Sequence, residues 1–375
     1  MIAKNLILLL LFIILPDVYL YWRYLRKKRL WYALPWFLPC LFFIAATVFF
    51  SREKDFVPDD MTWLNVYLFL LVLIVGGKFL FSIASLCGRN GWKIGIGVVL
   101  LEWAALFYGS FIGPRQLEVR HVDLTFSDLP QAFDGYRMVH FSDLHLGSTD
   151  MDFVCQLVDS INMQRADIVL FTGDLQNKIP TEVTPYADAL SAIDAKDGVF
   201  SVQGNHDYAE YMDAPYYVKA MSEEMLVGNE FNMGWTVLAN DHQIIRRGDE
   251  AIFIAGMEND GEGRFPQKGN VNAALWRLSR NDFIIMLEHD PSSWRRKILR
   301  HCHAQLTLSG HTHGMQFQLF GWSPLSLFKH EVDGLYQMGE RFIYVSKGAG
   351  ALVPFRFCCN PEIVVITLHR HQSNS

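Results

Sequence analysis

The stretch Ser309-Gly310-His311-Thr312-His313-Gly314-Met315-Gln316 places two histidines one residue apart, directly after the apolar run 304–308. A run of that length and composition predicts a buried strand, so the two imidazoles lie where the strand ends. Side chains in that arrangement can point into one cavity, where a metal ion is the natural partner of two imidazoles. The pair alone is a weak signal, because short histidine pairs also occur on ordinary turns.

Other predicted strands also end in polar residues. Strands are predicted at 117–126, 136–141, 167–171, 198–202, 235–239, 251–255, 282–288, 304–308, 342–346 and 363–368, and helices at 151–163 and about 184–193. This alternation predicts an α/β fold, in which ligands bind at the carboxyl ends of strands. The candidate metal ligands at these ends are Asp143, His145, Asp174, Asn205, His289, His311 and His313. Seven such ligands exceed what one tetrahedral ion needs and suit two ions that share a carboxylate.

Charge divides the chain near Gly113-Pro114. Residues 1–114 carry 11 Lys+Arg and 6 Asp+Glu and no histidine, whereas residues 115–375 carry 22 and 33 and all 13 histidines. We therefore predict two parts with boundaries 1–114 and 115–375. The acidic balance of the second part argues against a nucleic acid partner, which demands clustered Lys and Arg. The six cysteines show no C-x-x-C spacing and leave the redox compartment open.

The first part contains four apolar stretches, at about 5–22, 30–50, 62–87 and 92–112. Each is near or above the roughly 18 to 20 residues that cross a bilayer core as a helix, so we predict about four transmembrane helices. The alternative is two or three spans with an interfacial segment. The first stretch is not followed by a small-residue cleavage site but by a basic flank, which favours a retained span over a signal peptide.

Basic residues in the short loops predict the orientation of these helices. The first loop carries five of them and the third carries Arg89, whereas the two in the second loop lie among four acidic residues. Because positive loops stay cytoplasmic, the second part of the chain is predicted on the extracytoplasmic side.

Taken together, the polar strand ends resemble a known family. Asp143-x-His145, Gly173-Asp174, Gly204-Asn205-His206-Asp207, the lone His289 and Gly310-His311-x-His313 have the order and spacing of the calcineurin-like metallophosphoesterases. Further positions resemble a membrane-associated bacterial branch of that family: Gln316, Gly348-Ala349-Gly350, Arg356 and Pro361-Glu362-Ile363. Met315 stands where that branch usually has a second glycine. The resemblance implies a central β-sandwich flanked by α-helices.

The resemblance also implies residue roles. Asp143, His145 and His313 would hold one divalent metal, Asn205, His289 and His311 the other, and Asp174 would bridge them. His206 would contact the phosphate and protonate the leaving oxygen. A carboxylate behind an imidazole commonly orients it, so Asp207 is expected to orient His206. The ligands suit Mn, Zn, Fe and, less well, Mg, so the metal identity stays open.

Two cations about 3.5 to 4 Å apart lower the pKa of water and clamp phosphoryl oxygens. The leading hypothesis is therefore a membrane-anchored, two-metal phosphohydrolase that cleaves a phosphate ester, diester or pyrophosphate. Tethering to a membrane favours a lipid-linked or envelope-derived substrate. The alternatives are a phosphodiesterase for soluble nucleotides and a non-catalytic membrane sensor or scaffold that binds a phosphate ligand.

Two further segments bear on the substrate. Residues 317–336 form a long loop rich in aromatic and apolar side chains, which either contacts lipid or packs over the sheet. The basic segment Trp294-Arg295-Arg296-Lys297 follows His289 and is either a solvated helix face or a surface for anionic lipid.

Overall fold

The computed structural model describes residues 2–55, 58 and 60–371. The chain forms two compact units, one of residues up to 112 with 211–213, the other of residues 113–210 with 214 onward. The predicted boundary after residue 114 lies close to this division and stays a prediction.

The first unit is helical. Its α-helices are α1 (Leu6–Leu20), α2 (Leu30–Phe50), α3 (Thr62–Leu70), α4 (Gly77–Ser85) and α5 (Gly91–Phe107), with π-helical turns at Tyr21–Leu25, Leu71–Gly76 and Tyr108–Ile112 and 3-10 turns at Ile2–Asn5 and Gly113–Arg115. The π-helical turns continue α1 and α5 and join α3 to α4, so these elements form three long helical stretches.

Three helical stretches are long and apolar enough to cross a membrane: Leu6–Leu25, Thr62–Ser85 and Gly91–Arg115. They coincide with the first, third and fourth predicted spans. The second predicted span is also helical, but its apolar part, Pro35–Phe50, is shorter. The number of spans and their orientation stay predictions.

An ion pair lies inside this apolar unit. The Lys78 ammonium donates to Oδ1 of Asp17 at 2.6 Å and lies 4.6 Å from the centroid of the Trp36 ring. Asp17 is almost fully buried. A charge surrounded by apolar helices is tolerated when it is paired, and the pair thus stabilises Asp17 among side chains that would otherwise exclude it.

The second unit is built on two six-stranded sheets. Its strands are β1 (Glu118–Phe126), β2 (Tyr136–Phe141), β3 (Ile168–Phe171), β4 (Val199–Ser201), β5 (Trp235–Val237), β6 (Asp241–Arg247), β7 (Glu250–Gly256), β8 (Ile284–Leu287), β9 (Leu306–Ser309), β10 (Gly334–Met338), β11 (Arg341–Val345) and β12 (Glu362–Arg370). The first sheet has the order β1-β12-β2-β3-β4-β5 and the second β10-β11-β9-β8-β7-β6. Strands β2 to β5 are parallel, as are β7, β8 and β9.

The two sheets form a sandwich because their central strands are apolar on both faces. Every residue of β3 and β8 is buried. One face of each sheet contributes to a shared core, which includes Ile168, Leu170, Ile285 and Leu287. Continuous apolar strands of this kind are typical of parallel sheets that are covered on both sides.

Helices cover the outer faces. They are α6 (Met151–Met163), α7 (Ala187–Ser191), α8 (Tyr216–Asn232), α9 (Val271–Ala274) and α10 (Leu299–His301), with a π-helical turn at Trp294–Ile298 and 3-10 turns at Gln131–Phe133, Pro180–Glu182, Thr184–Tyr186, Ala209–Tyr211, His313–Gln316 and Pro324–Leu327. Residues of α6, α7 and α8 pack on the first sheet, and Val271, Trp294 and Ile298 pack on the second. The predicted α/β fold with a helix-flanked central sandwich is confirmed.

Candidate metal centre

The predicted ligands lie on loops that follow five strands. Asp143 and His145 follow β2, Asp174 follows β3, and Asn205 follows β4, all in the first sheet. His289 follows β8, and His311 and His313 follow β9, all in the second sheet. Parallel neighbours end at the same edge, so each sheet gathers its own polar loops there.

A first group of donor atoms comes from both sheets. Oδ1 of Asp143 lies 3.2 Å from Nε2 of His313, and Nε2 of His145 lies 3.3 Å from the same nitrogen. Ligand atoms of these three residues all lie within 4.8 Å of one another. The spacing fits the coordination of a single ion by one carboxylate and two imidazoles.

A second group surrounds the amide oxygen of Asn205. That Oδ1 lies 3.1 Å from Nε2 of His289 and 2.7 Å from Nδ1 of His311. Nδ1 of His289 contacts the carbonyl oxygen of Thr172 at 2.7 Å, which fixes the ring and directs Nε2 toward the group.

Asp174 lies between the two groups. Its Oδ2 is 3.2 Å from Nε2 of His289 and 3.7 Å from Nε2 of His145. Its Oδ1 instead accepts the backbone N–H of His206 at 2.8 Å. One oxygen of this carboxylate therefore faces both groups, while the other is held by the backbone.

The two predicted catalytic residues are also at the centre. The His206 ring lies 4.8 Å from the His145 ring, and its Nδ1 contacts the carbonyl oxygen of Asn177 at 2.6 Å. The Asp207 carboxylate accepts backbone N–H groups of Asp174 at 2.7 Å, Gly204 at 2.8 Å, Leu175 at 2.9 Å and Gln176 at 3.3 Å. The structure thus gives Asp207 a scaffolding role, and its predicted orientation of His206 stays a prediction.

Comparison with known proteins identifies the family. The family model for the calcineurin-like phosphoesterases matches residues 136–315. The metallophosphoesterase YkuE of Bacillus subtilis is 32% identical over 269 residues, covering 70% of this chain and 88% of that protein. The chain is a calcineurin-like phosphoesterase. Membership establishes it as a metal-dependent phosphoesterase of a family that binds a dinuclear metal centre, and its own His and Asp groups could hold metal.

Other relatives of this phosphoesterase match more of its length. A Campylobacter jejuni metallophosphoesterase is 26% identical over 377 residues, covering 94% of this chain and 95% of that protein. A Danio rerio protein described as a transmembrane protein with a metallophosphoesterase domain is 26% identical over 351 residues, covering 88% and 76%. The similarity to these two proteins therefore extends into the helical unit.

The backbone at the centre has an unusual conformation. Asp143, His145, Asp174, His311 and His313 all have positive φ, between 48° and 71°. Few residues other than glycine adopt this region, and such strain is typically concentrated at functional sites. Five of the seven predicted ligands are thus among the twelve non-glycine residues with positive φ in the described part of the chain.

Burial and mutual charge set the protonation of the centre. Burial lowers the pKa of His145 to about 3 and that of His313 well below its ordinary value. Burial would raise the pKa of Asp174, but the charges of His289 and His206 outweigh burial and hold that pKa well below its usual range. Two imidazoles are thus neutral and the central carboxylate ionised, the forms that bind a cation.

Two other groups at the centre have raised pKa values. Burial raises the pKa of Asp143 to about 6, and the charge of Asp174 acts in the same direction. Burial would lower the pKa of His289, but the charges of Asp174 and Asp143 outweigh it and raise that pKa to about 10. Cation binding at this phosphoesterase centre therefore competes with protons.

The centre fits divalent cations. Asp143 and Asp174 are at most 2% exposed, and imidazole nitrogens of His313, His289 and His145 lie 3.2 to 3.7 Å from their oxygens. Burying carboxylates without a strong positive partner is costly, so the donor set calls for a cation. Carboxylate and amide oxygens mixed with imidazole nitrogens suit Mn²⁺, Zn²⁺ or Fe²⁺ better than Mg²⁺.

Several residues at the centre were not predicted from the sequence. Oδ1 of Asn177 contacts Nδ1 of His145 at 3.1 Å, and the Phe265 ring lies edge-on to the His311 ring at 4.9 Å. Oδ2 of Asp290 lies 3.6 Å from Nε2 of His311. Of these three residues, only Asp290 could have been predicted from the sequence, since it directly follows His289. Phe265 belongs to a loop far from every motif.

Proposed function

We propose that this phosphoesterase is a membrane-anchored hydrolase with a two-metal centre, cleaving a phosphate ester, diester or pyrophosphate that is lipid-linked or derived from the envelope. The observation that supports it is the position of Asp174, one oxygen of which faces both donor groups. A shared carboxylate is the arrangement that two-metal hydrolysis requires.

The proposed ligand sets follow from the two groups. Asp143, His145 and His313 would hold one metal, Asn205, His289 and His311 would hold the other, and Asp174 would contribute to both sites. When bound, the metals supply Lewis-acid activation of water and of the phosphoryl group.

The chain's own residues position and protonate the substrate. His206 holds a proton for the leaving oxygen, with its ring fixed through Nδ1 at the Asn177 carbonyl. The Asp207 carboxylate accepts the backbone N–H groups from Asp174 to Gln176 and so holds the loop that carries Asp174 in place. This rigid arrangement needs little reorganisation when a phosphoryl group binds.

The membrane part of the proposal is supported by three apolar helices of sufficient length. The basic residues of the first loop further favour an extracytoplasmic position for the phosphoesterase unit. A substrate at the same membrane surface would then be presented to the centre at high local concentration.

Metal counting tests the proposal. Elemental analysis of the purified full chain in detergent should give two metals, with about one remaining in Asp143→Ala and in Asn205→Ala and neither in Asp174→Ala. Loss of only one metal from Asp174→Ala would contradict a bridging role.

Turnover tests the substrate. The metal-loaded chain should release product from lipid-borne phosphodiesters faster than from soluble nucleotide diesters, with Asp174→Ala as the inactive control. The reverse preference would favour the soluble-nucleotide alternative. Binding of phosphorylated lipid without release above the Asp174→Ala rate would favour a sensor.

A further inference from the structure

A cavity of about 440 Å³ opens beside the metal centre, and we call it the side cavity. Its walls include Asp290, Arg295, Arg296, His311, Phe328 and Lys329. His311 is the shared wall, since its Nδ1 faces Asn205 at the centre and its Nε2 faces Asp290. A cavity of this size accommodates a small organic group, and a substituent on a phosphoryl group at the centre has room to extend into it.

The side cavity brings together the two segments that the sequence left without a role. The basic segment contributes Arg295 and Arg296, and the aromatic loop contributes Leu325, Phe328 and Lys329. Both segments therefore border a space next to the predicted ligands.

Ion pairs make the polar walls electrically balanced. Nε of Arg295 donates to Glu331 at 2.7 Å, and Nζ of Lys329 donates to Glu262 at 2.6 Å. Arg296 forms an ion pair with the Asp260 carboxylate at 3.0 Å and donates a hydrogen bond to the Asp260 carbonyl oxygen. The lining contains three cationic residues, Arg295, Arg296 and Lys329, and three carboxylates, Glu262, Asp290 and Glu331. Because these charges nearly cancel, an anionic ligand gains little electrostatic attraction in the side cavity. The same side chains offer both hydrogen-bond donors and acceptors to a neutral polar ligand.

Arg295 has unused donors. Only its Nε makes a hydrogen bond to another residue of the described chain, and its side chain is 42% exposed. The two Nη groups are thus available to a ligand in the side cavity. A guanidinium binds hydroxyl, carbonyl and carboxylate oxygens in a fixed planar geometry.

The aromatic loop closes one side with apolar surface. Leu325 and Phe328 line the cavity, and Phe328 is 82% exposed. Phe320, on the same loop, is fully exposed and does not line the cavity. The two phenylalanines therefore offer a matched pair for testing which exposed ring matters.

We propose that the side cavity holds the organic substituent of the phosphate ester and selects a polar substituent without net charge, a polyol or a zwitterion, over an apolar or anionic one. The inference rests on the proposed function, because it assumes that the phosphoryl group binds at the metal centre.

Ligand binding to the full chain in detergent, loaded with metal, tests the inference by calorimetry. Inorganic phosphate probes the centre alone. Glycerol 3-phosphate, phosphoserine, butyl phosphate and 3-phosphoglycerate add a polyol, a zwitterionic, an apolar and an anionic substituent. Glycerol 3-phosphate or phosphoserine should bind about tenfold tighter than phosphate, as one or two added hydrogen bonds provide, and the other two within about twofold of phosphate.

Paired variants locate the effect. Arg295→Gln should reduce the tenfold advantage to about threefold or less, because the two Nη groups supply the added hydrogen bonds, and leave the affinity for inorganic phosphate unchanged. Phe328→Ser and Phe320→Ser, which remove no hydrogen-bond donor, should keep the advantage, as should Arg300→Gln outside the cavity. Should Arg295→Gln fold poorly because Glu331 loses its partner, Arg295→Lys decides, since it keeps a cation beside Glu331 but lacks the planar pair of Nη groups.

The outcomes separate the two proposals. A wild-type chain that neither binds phosphate nor hydrolyses esters contradicts the proposed function. Phosphate binding with equal affinities for all four esters, or tightest binding of butyl phosphate or 3-phosphoglycerate, overturns the side-cavity inference alone. If 1-oleoyl-glycerol 3-phosphate binds more tightly than glycerol 3-phosphate, the polyol is supported as a lipid headgroup; equal binding supports a soluble source.

Discussion

Asp207→Asn separates the two roles considered for Asp207. In the wild type, Oδ2 accepts the N–H groups of Asp174 and Gly204, and Oδ1 accepts those of Leu175 and Gln176. An asparagine side chain retains one acceptor oxygen and replaces the other with an NH₂ donor. In either orientation of the amide, two backbone N–H groups therefore face a donor.

The magnitude follows from those two groups. Each buried N–H that loses its acceptor costs about 1–3 kcal/mol, so the variant should be destabilised locally by about 2–6 kcal/mol. The affected pair includes the N–H of Asp174 when NH₂ replaces Oδ2, and the N–H groups of the next two residues when it replaces Oδ1, so in both cases the backbone that carries Asp174 should shift. We expect metal content to fall below one per chain and hydrogen exchange to accelerate in the segment 172–177.

Elemental analysis and peptide-resolved hydrogen exchange on the full chain check this. Asp150→Asn is the matched control, because Asp150 accepts a single N–H, from Phe153 at 2.9 Å, and asparagine caps a helix equally well. A variant that keeps two metals and wild-type exchange but loses turnover would refute the scaffolding role, and would favour orientation of His206.

Three further predictions follow from single positions. Gly204→Ala should abolish metal binding, because the added Cβ would lie 2.3 Å from Oδ1 of Asp174 and displace that carboxylate. Elemental analysis measures the metal content, and a normal content would contradict the prediction. Burial raises the pKa of Glu230 to about 7 from 4.5, so the folded state binds more protons than the unfolded state between these values and stability should fall as pH rises through that window. Glu230→Gln should remove about 3 kcal/mol of this pH-dependent loss of stability, so that the thermal unfolding midpoint changes less between pH 5 and 8 than in the wild type. An unchanged pH dependence of the midpoint would contradict the prediction. Met315→Gly should stabilise the chain by about 0.5 kcal/mol, because Met315 has φ 61° and glycine relieves that strain at some entropic cost, and a lower unfolding midpoint would contradict it.

Strongly apolar elements could be predicted from the sequence. Strands β3 and β8 are buried throughout, so their composition alone marks them. Two strands were missed, β6 and β10, because most of their residues are partly or fully exposed. They are the two edge strands of the second sheet, where no apolar pattern is required.

Helices were harder to predict. Helix α6 was predicted at its observed bounds, because an amphipathic pattern follows the cap Asp150. The helix predicted at about 184–193 is shorter, since Pro185 confines the start to a 3-10 turn and α7 spans Ala187–Ser191 alone. Helix α8 was missed, because its apolar residues are largely exposed and form no clear stripe.

At the metal centre, too, some residues could be predicted from the sequence and others could not. Its seven candidate ligands could be proposed from the sequence, because each follows an apolar strand and belongs to an ordered motif, and their role as ligands stays a prediction. The contacts of Phe265 and Asn177 could not, because they depend on how loops from distant parts of the chain fold over the strand ends.

The hydrogen bond from the His206 backbone to Oδ1 of Asp174 links two functions in one peptide. A substitution that displaces the proposed proton donor also pulls on the carboxylate shared by both donor groups. Proton donation by His206 and metal affinity at Asp174 are therefore coupled. Variants selected for a change in one property should show a correlated change in the other, even when His206 and Asp174 themselves are not substituted.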